Sequence, residues 1–287
     1  MNKHPKISCV IPAYNEGDRI GFVLSVIEEI DLFTDIVLVN NNSEDHTLDV
    51  MRHWEKRDSR IKVINNKTNV GKTNSVIRGI NMAKGELIVL LDADILSIEK
   101  KDIEKLIEPL IKGDYSMAVI ERRGSRRAFF GGTGIMRLLG GERAFWKKDF
   151  LKINFHDDDQ YILGTKLNLY LINKQRKIKS IYREKVDVEV QFVKKGALKA
   201  WISYLKMYRE VVWYVGFRNI YTQIVNLEDN TTPKLNRLQR KSKVKFLTSP
   251  LIFVLRTSRA MFFFLFTNTK EGIIFPIKNK VAPLFVT

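Results

Sequence analysis

The sequence predicts an α/β fold of Rossmann-like type: a mixed, mostly parallel sheet flanked by helices, with a basic, partly amphipathic helical appendage at the carboxyl end. Three observations carry the parallel sheet and its flanking helices, and the composition of the tail carries the appendage. Short β-prone runs alternate with segments of helical period through the amino-terminal part of the chain, and such alternation builds βαβ units. The run from Leu87 to Leu91 is apolar without interruption, as a strand covered on both faces must be. The runs end in polar clusters, which a parallel sheet gathers along the carboxyl edge where open α/β sheets bind ligands.

The elements follow in order. Lys6 to Ile11 reads as the first strand and runs into Pro12-Ala13-Tyr14-Asn15-Glu16. Gly17-Asp18 then opens a helix with Ile20, Val23, Leu24, Ile27 and Ile30 on one face. Asp35 to Val39 is the second strand, tipped by Asn40-Asn41-Asn42-Ser43-Glu44-Asp45-His46-Thr47. The following helix sets Leu48, Met51 and Trp54 on one face, with Ser43 or Asp45 as its N-cap. Ile61 to Ile64 is the third strand and leads through Asn69-Val70-Gly71-Lys72 to a helix from Thr73 to Ala83. Gly85 breaks the chain before the fourth strand, which ends at Asp92-Ala93-Asp94. A strand around Tyr115 to Ile120 precedes a loop, Glu121 to Gly134, with four arginines and four glycines in fourteen residues. Gln160 to Leu171 is helical, with Leu163, Leu167 and Leu171 on one face.

The polar tips have chemistry. Two carboxylates two positions apart at a strand end offer hard oxygen donors for Mg²⁺ or Mn²⁺ against a diphosphate; alone, such a pair is equally a solvated turn. Tyr14, Glu16 and Asn40 to Asn42 supply a ring face and hydrogen-bonding edges suited to a nucleobase. Gly71 lets backbone approach a ligand closely, and Lys72 is a point charge suited to phosphate. Pro12, Gly71 and the asparagines also serve simply as turn residues.

Taken together, Pro12 to Glu16, the Asn40 to Asp45 segment, Asn69-x-Gly71-Lys72 and Asp92-Ala93-Asp94 resemble, in order and spacing, the family 2 glycosyltransferases of GT-A fold. The resemblance implies inverting transfer of a sugar from a nucleoside-diphosphate donor. It places Pro12, Tyr14, Asn15, Glu16, Asn40, Asn42, Gly71, Lys72, Asp92 and Ala93 around the nucleotide sugar. It also puts Asp94, with Asp92, on Mn²⁺ or Mg²⁺. One departure is Asn40, where the family commonly has an acidic residue; an amide both donates and accepts, so base binding is kept and the choice of base is open.

Gly140-Gly141-Glu142-Arg143-Ala144-Phe145 looks like the family's acceptor-side segment. Arg122, Arg126, Glu142 and Arg143 are therefore expected near the diphosphate and acceptor, each loop arginine being equally a solvated charge. The family's catalytic carboxylate precedes a helix some way further on, and one near its normal pKa suffices because the proton leaves as the bond forms. Here His156-Asp157-Asp158-Asp159 stands there, and Asp158 or Asp159 is the expected base. A gapless match instead puts Gly164 at that place, and adjacent aspartates also make a good helix start. His156 is either a further metal ligand or structural. Polyprenyl-phosphate glycosyltransferases often carry Gln two places after the second Asp; Leu96 stands there, which makes that acceptor class the alternative.

Composition bounds the rest. A chain of 287 residues with 45% hydrophobic residues holds one large domain, or a domain and an appendage. Cys9 is the single cysteine, so no disulfide framework and a reducing compartment are expected. No signal peptide is read at the start. The net charge of +17 and pI near 9.8 call for an anionic partner. From Lys234 to Thr287 there are eleven basic residues against one acid, Glu271. Two Phe-rich apolar runs lie in that stretch, divided by Arg256 and Arg259. Each is short of the roughly 20 residues a membrane span needs. That composition suits an interfacial segment on an anionic membrane, or a helical appendage packed on protein; the aromatic-rich stretch from Trp201 to Ile220 joins either. No helix-turn-helix, zinc or RRM-like signature supports nucleic-acid binding. Two rivals are a non-catalytic nucleotide-sugar binder and a nucleotidyltransferase, although the latter's phosphate loop is normally glycine-rich and Pro12 to Glu16 has no glycine.

The expectation is therefore a catalytic domain over residues 1–220 and an appendage over 221–287. The enzyme would work peripherally on the cytoplasmic face of a membrane, on a saccharide, lipid-linked or small-molecule acceptor, in making lipid-linked glycan, envelope polysaccharide or glycolipid.

Overall fold

The computed structural model describes residues 5–122, 140–156, 159, 162–183, 213, 214, 216 and 227–229. The chain divides into Met1–Asn236 and Arg237–Thr287, and every described residue lies in the first unit.

Five strands and four helices alternate first: β1 (Ile7–Ala13), α1 (Gly17–Glu28), β2 (Phe33–Asn40), α2 (Thr47–Arg57), β3 (Ile61–Asn65), α3 (Gly71–Met82), β4 (Leu87–Leu90), α4 (Lys100–Ile111) and β5 (Met117–Arg122). There follow β6 (Arg143–Trp146), a single turn α5 (Lys147–Phe150), α6 (Leu163–Asn173), β7 (Ile178–Arg183) and β8 (Leu227–Asp229). They form one eight-stranded sheet in the order β3-β2-β1-β4-β6-β5-β7-β8. Only the β4–β6 and β5–β6 pairs are antiparallel, so the sheet is mixed and mostly parallel: the alternation predicts the parallel part, and β6 supplies the antiparallel pairs. β8 lies beyond residue 220, within the stretch read from sequence as appendage, and is paired to β7.

The period of each segment decides what it buries. β1 is buried at every position and β4 likewise, because both lie inside the sheet with a covering layer on each face. The predicted face of α1 is its buried face: Ile20, Val23, Leu24 and Ile27 are at most 1% exposed and pack, with Met51 and Trp54 of α2, into the core beneath β1 and β2. β1 runs two residues further than its apolar run, through Pro12 and Ala13. The Ala13 carbonyl accepts from Asn41 N on the β2 side, so Pro12 faces the other side, where pairing with β4 has ended at Val10. A proline without an N–H is tolerated there. The N-cap of α2 is His46, without a side-chain capping bond, rather than Ser43 or Asp45.

The chain leaves β1 toward β2 and β3 on one side and returns to place β4 on the other. That reversal is a topological switch point, where the loops after β1 and β4 diverge and open a crevice at the carboxyl edge.

Of the stretches singled out in sequence, the basic loop from Arg123 on, Asp157, Asp158, most of Trp201 to Ile220 and the whole tail from Lys234 lie outside the described residues. Among the described residues no helix is long and apolar enough to cross a membrane.

Candidate active site

A cavity of about 980 Å³ opens at the switch point. Its walls come from the tip of β1 (Pro12, Tyr14, Glu16), the first turns of α3 (Gly71, Lys72) and the tip of β4 (Asp92, Ala93, Asp94). Eight of the residues expected at the site thus surround one space, although they span more than eighty positions of sequence.

Hydrogen bonds between neighbouring loops fix the β1 tip. Asn15 takes a left-handed φ of 55°, which asparagine tolerates. Its backbone N donates to Ser43 Oγ (3.0 Å), and its Oδ1 accepts from Glu44 N (2.9 Å). Glu16 N donates to Thr47 Oγ1 (2.8 Å) and Gly17 N to Asp45 Oδ2 (3.1 Å). Burial pushes the Asp45 carboxyl up, but the hydrogen bonds from Thr47 and Gly17 outweigh it and hold it below its ordinary value. Asn15 therefore acts as a splice between loops and is not on the cavity wall. Tyr14 is 42% exposed and Glu16 is half-buried, its carboxylate accepting from Arg19 Nη1 at 3.1 Å.

The asparagines after β2 separate into different roles. Asn40 is buried, donating its amide to Asn65 Oδ1 (2.7 Å) and accepting from Ser43 N (3.3 Å), so its side chain serves the strand tips. Asn42 is exposed at φ 61° and makes the turn. Asn41, between them, reaches the cavity. Its Oδ1 accepts from Val70 N (2.9 Å) and Asn66 Nδ2 (3.2 Å), and its Nδ2 donates to Asn69 Oδ1 (2.8 Å). This net holds the entry to α3. Gly71 sits at φ 82°, a conformation glycine adopts without strain, with its N–H on Asn69 Oδ1 (3.0 Å). Helix α3 thus starts at the cavity with its positive end toward it.

Sequence reasoning missed Asn74, Ser75 and Arg78, which also line the cavity. The signal was present: with Gly71 they fall at i, i+3, i+4 and i+7, one face of α3. Arg78 Nη1 donates to Asn66 Oδ1 at 2.8 Å.

At the β4 tip, Lys72 Nζ lies 2.6 Å from Asp92 Oδ1. Behind Asp92 stand Gly141 and Arg143. A Cβ at Gly141 would fall 2.1 Å from Asp92 Oδ2, so only glycine lets the β6 approach pass so near the carboxylate. Arg143 and Glu142, expected to meet diphosphate or acceptor, are instead 1% exposed and off the cavity wall. The Arg143 guanidinium points inward: Nε and Nη2 donate to the Gly140 carbonyl, and Nη1 to Gly164 O (3.2 Å) and Asn168 Oδ1 (3.4 Å). Burial pulls its pKa down to about 10, against the opposing pull of the Asp92 charge. Gly164 has its own reason to be glycine, because a Cβ there would run into the same guanidinium.

Asp159 is buried and forms an ion pair with buried Lys166. It also accepts from His156 N at 2.8 Å, closing its own turn. Lys166 Nζ is further held by Asn154 O (3.0 Å) and lies over the ring of Tyr214. His156 is exposed and away from the cavity wall. Asp158, Arg126 and the Arg122 side chain lie outside the described residues. Cys9 is fully buried in β1, and burial pushes its thiol up, so it takes no part.

The donor set at the β4 tip fits a hard divalent cation. Asp92 and Asp94 line one cavity. Among the described residues no group of three or more His, Cys, Asp or Glu is placed to hold an ion. Two carboxylates completed by phosphate and water oxygens is the arrangement Mg²⁺ commonly takes with nucleotides.

The chain is similar to known proteins in sequence and in fold. The model of the "Glycosyl transferase family 2" family matches residues 8–164. A dolichyl-phosphate beta-glucosyltransferase of Trichomonas vaginalis is 34% identical over 128 residues, 41% of this chain and 40% of that protein. An undecaprenyl-phosphate 4-deoxy-4-formamido-L-arabinose transferase of Edwardsiella ictaluri is 31% identical over 112 residues, covering 37% and 34%. The matched part is thus less than half of these relatives' length. Among solved structures, glucosyl-3-phosphoglycerate synthase of Mycobacterium tuberculosis, in complex with Mn²⁺, UDP-glucose and phosphoglyceric acid, superposes with a TM-score of 0.58. That match has 16% identity and covers 79% of this chain and 81% of that one, so it speaks to fold. With the family's own model running from Ser8 in β1 through β6 and the cavity to Gly164, more than half of the chain, the chain belongs to glycosyltransferase family 2.

Proposed function

We propose that this protein transfers a sugar, with inversion, from a nucleoside-diphosphate donor to a hydroxyl or phosphate acceptor. The observation that supports it best is the single cavity bringing Tyr14 and Glu16, Gly71 and Lys72, and Asp92 and Asp94 to one sheet edge.

Each group has a task that its position allows. Tyr14 offers a ring face for the base, and Glu16, Asn69 and Asn74 offer edges that select it. The amino end of α3, Lys72 and Arg78 supply positive charge for the diphosphate. Asp92 and Asp94 would hold Mn²⁺ or Mg²⁺, which when bound neutralises charge building on the departing diphosphate. Asp159 is committed to Lys166, so Asp158 is the candidate base among the aspartates named from sequence. It would take the proton of an acceptor hydroxyl as the bond to the anomeric carbon forms. A phosphate acceptor is already anionic and needs no such base.

A second reading, transfer to a polyprenyl phosphate, is favoured by the names of two relatives, although Leu96 departs from that class. Membrane attachment through the basic tail would serve it, on the cytoplasmic face where nucleotide sugars are made available.

The test is incubation with UDP- and GDP-sugars and Mn²⁺, with saccharide, phosphoglycerate and polyprenyl-phosphate acceptors. Release of nucleoside diphosphate and a β-linked product from an α-linked donor, read by NMR, is expected. Retention of configuration, or no release from any donor with any acceptor, would overturn the proposal.

A further inference from the structure

Lys72 is read from sequence as a phosphate ligand, yet its ammonium lies 2.6 Å from Asp92, one of the two carboxylates that would hold a divalent cation. We propose that Lys72 and the divalent cation are alternative occupants of the Asp92 carboxylate. The cation would then bind firmly only together with a nucleoside diphosphate, whose oxygens take Lys72 in exchange. This deepens the nucleotide-sugar reading of the cavity and rests on it.

Mobility decides which partner moves. The Lys72 side chain is 53% exposed, on a flexible four-carbon stem in the first turn of α3. The Asp92 side chain is 18% exposed. It is hemmed in by the Gly141 backbone, with the buried Arg143 charge near enough to feel it. The lysine can swing into the cavity that both line, while the carboxylate stays.

Charge decides when it moves. Lys72 is paired with Asp92 and the buried Arg143 charge acts on the same carboxylate, so a dication arriving alone meets positive charge there and must displace the mobile ammonium. A nucleoside diphosphate brings compensating negative charge and gives the evicted ammonium phosphate oxygens to bind. Metal and nucleotide affinities are then coupled, and the coupling is reciprocal, typically 5–150-fold. The pair would keep free metal from occupying the site without donor.

Uptake of Mn²⁺ by the full chain, followed through the paramagnetic resonance signal of the free ion, tests this without turnover. Wild type, Lys72→Gln, Lys72→Arg and Asp92→Asn are titrated alone and with saturating UDP or GDP. Wild type is expected to bind Mn²⁺ alone weakly and at least about fivefold more tightly with one of the nucleotides. Lys72→Gln, lacking the competitor, should bind Mn²⁺ alone about tenfold more tightly than wild type and show little nucleotide coupling. Lys72→Arg, which keeps a cation for Asp92, should stay near wild type, and Asp92→Asn should lose uptake. Equal or weaker Mn²⁺ binding by Lys72→Gln without nucleotide, while wild type still takes up Mn²⁺ with nucleotide, would overturn the exchange and leave the cavity's assignment standing. No uptake by any protein with either nucleotide would overturn both.

Discussion

Substituting Gly141 by alanine probes the site from behind. A Cβ there would lie 2.1 Å from Asp92 Oδ2, and Cβ contacts below 3.0 Å are essentially never seen, so at least 0.9 Å must be opened. Two responses are available. The backbone before β6 can retreat, but Arg143 is paired in the sheet with Leu90 and Val119 and its side chain is tied to the Gly140 and Gly164 carbonyls. Overpacking of that kind costs about 1–3 kcal/mol. The carboxylate can instead turn, and an off-rotamer side chain costs on the order of 0.5–1.5 kcal/mol. The carboxylate should therefore yield. Stability would fall by about 1 kcal/mol, or roughly 2–4 °C in midpoint. Turnover would fall about a hundredfold, because a displacement near 1 Å at a positioning group has that effect. Thermal melts by circular dichroism and release of nucleoside diphosphate with Mn²⁺ give both numbers. Gly21→Ala in α1 is the control, since nothing lies within 4 Å of the added methyl; it should gain about 1 kcal/mol of stability and keep activity. Wild-type turnover in Gly141→Ala would refute the idea that the Asp92 carboxylate has to stand where it does.

Three further expectations concern the two aspartates and the basic tail. Asp159→Asn should lower stability in urea titrations by about 3–5 kcal/mol, because Lys166 is left charged and buried without its partner. Asp158→Asn should keep stability and nucleotide binding within a factor of a few while losing transfer to a hydroxyl acceptor; full transfer by both variants would place the base elsewhere. The full chain should co-sediment with anionic liposomes at low salt and be released at about 1 M salt, where the Debye length is near 3 Å. Truncation before Lys234 should abolish sedimentation, and equal binding to neutral liposomes would remove the electrostatic argument.

What was legible in the sequence follows from what each signal encodes. Uninterrupted apolar runs such as Leu87 to Leu91 report burial on both faces, and helical period reports one, so the first four strands and three helices could be placed to within a few residues. Motifs that end strands were legible as site residues because a parallel sheet brings every such tip to one edge. Which asparagine of three reaches the cavity was not legible, because it depends on the left-handed turn at Asn42 and on the net joining Asn41 to Val70. Arg78 was legible in principle from helical spacing after Gly71, but a lone arginine in a basic chain draws no notice. The inward turn of Arg143 depends on Gly164 and Asn168, more than twenty positions away, and pairings of that kind leave no local pattern. The same holds for Asp159, whose partner Lys166 sits one helix turn inside α6.

The function proposed for the cavity turns on the two carboxylates at the β4 tip acting on the diphosphate of a nucleotide sugar. The most direct measurement compares release of nucleoside diphosphate by wild type and Asp94→Ala in saturating Mn²⁺, with whichever donor the wild type uses. Charge stabilisation on a leaving group is worth several kcal/mol, so a fall of about a hundredfold or more is expected in a variant that circular dichroism shows to be folded. Asp94→Ala turning over at the wild-type rate would contradict it.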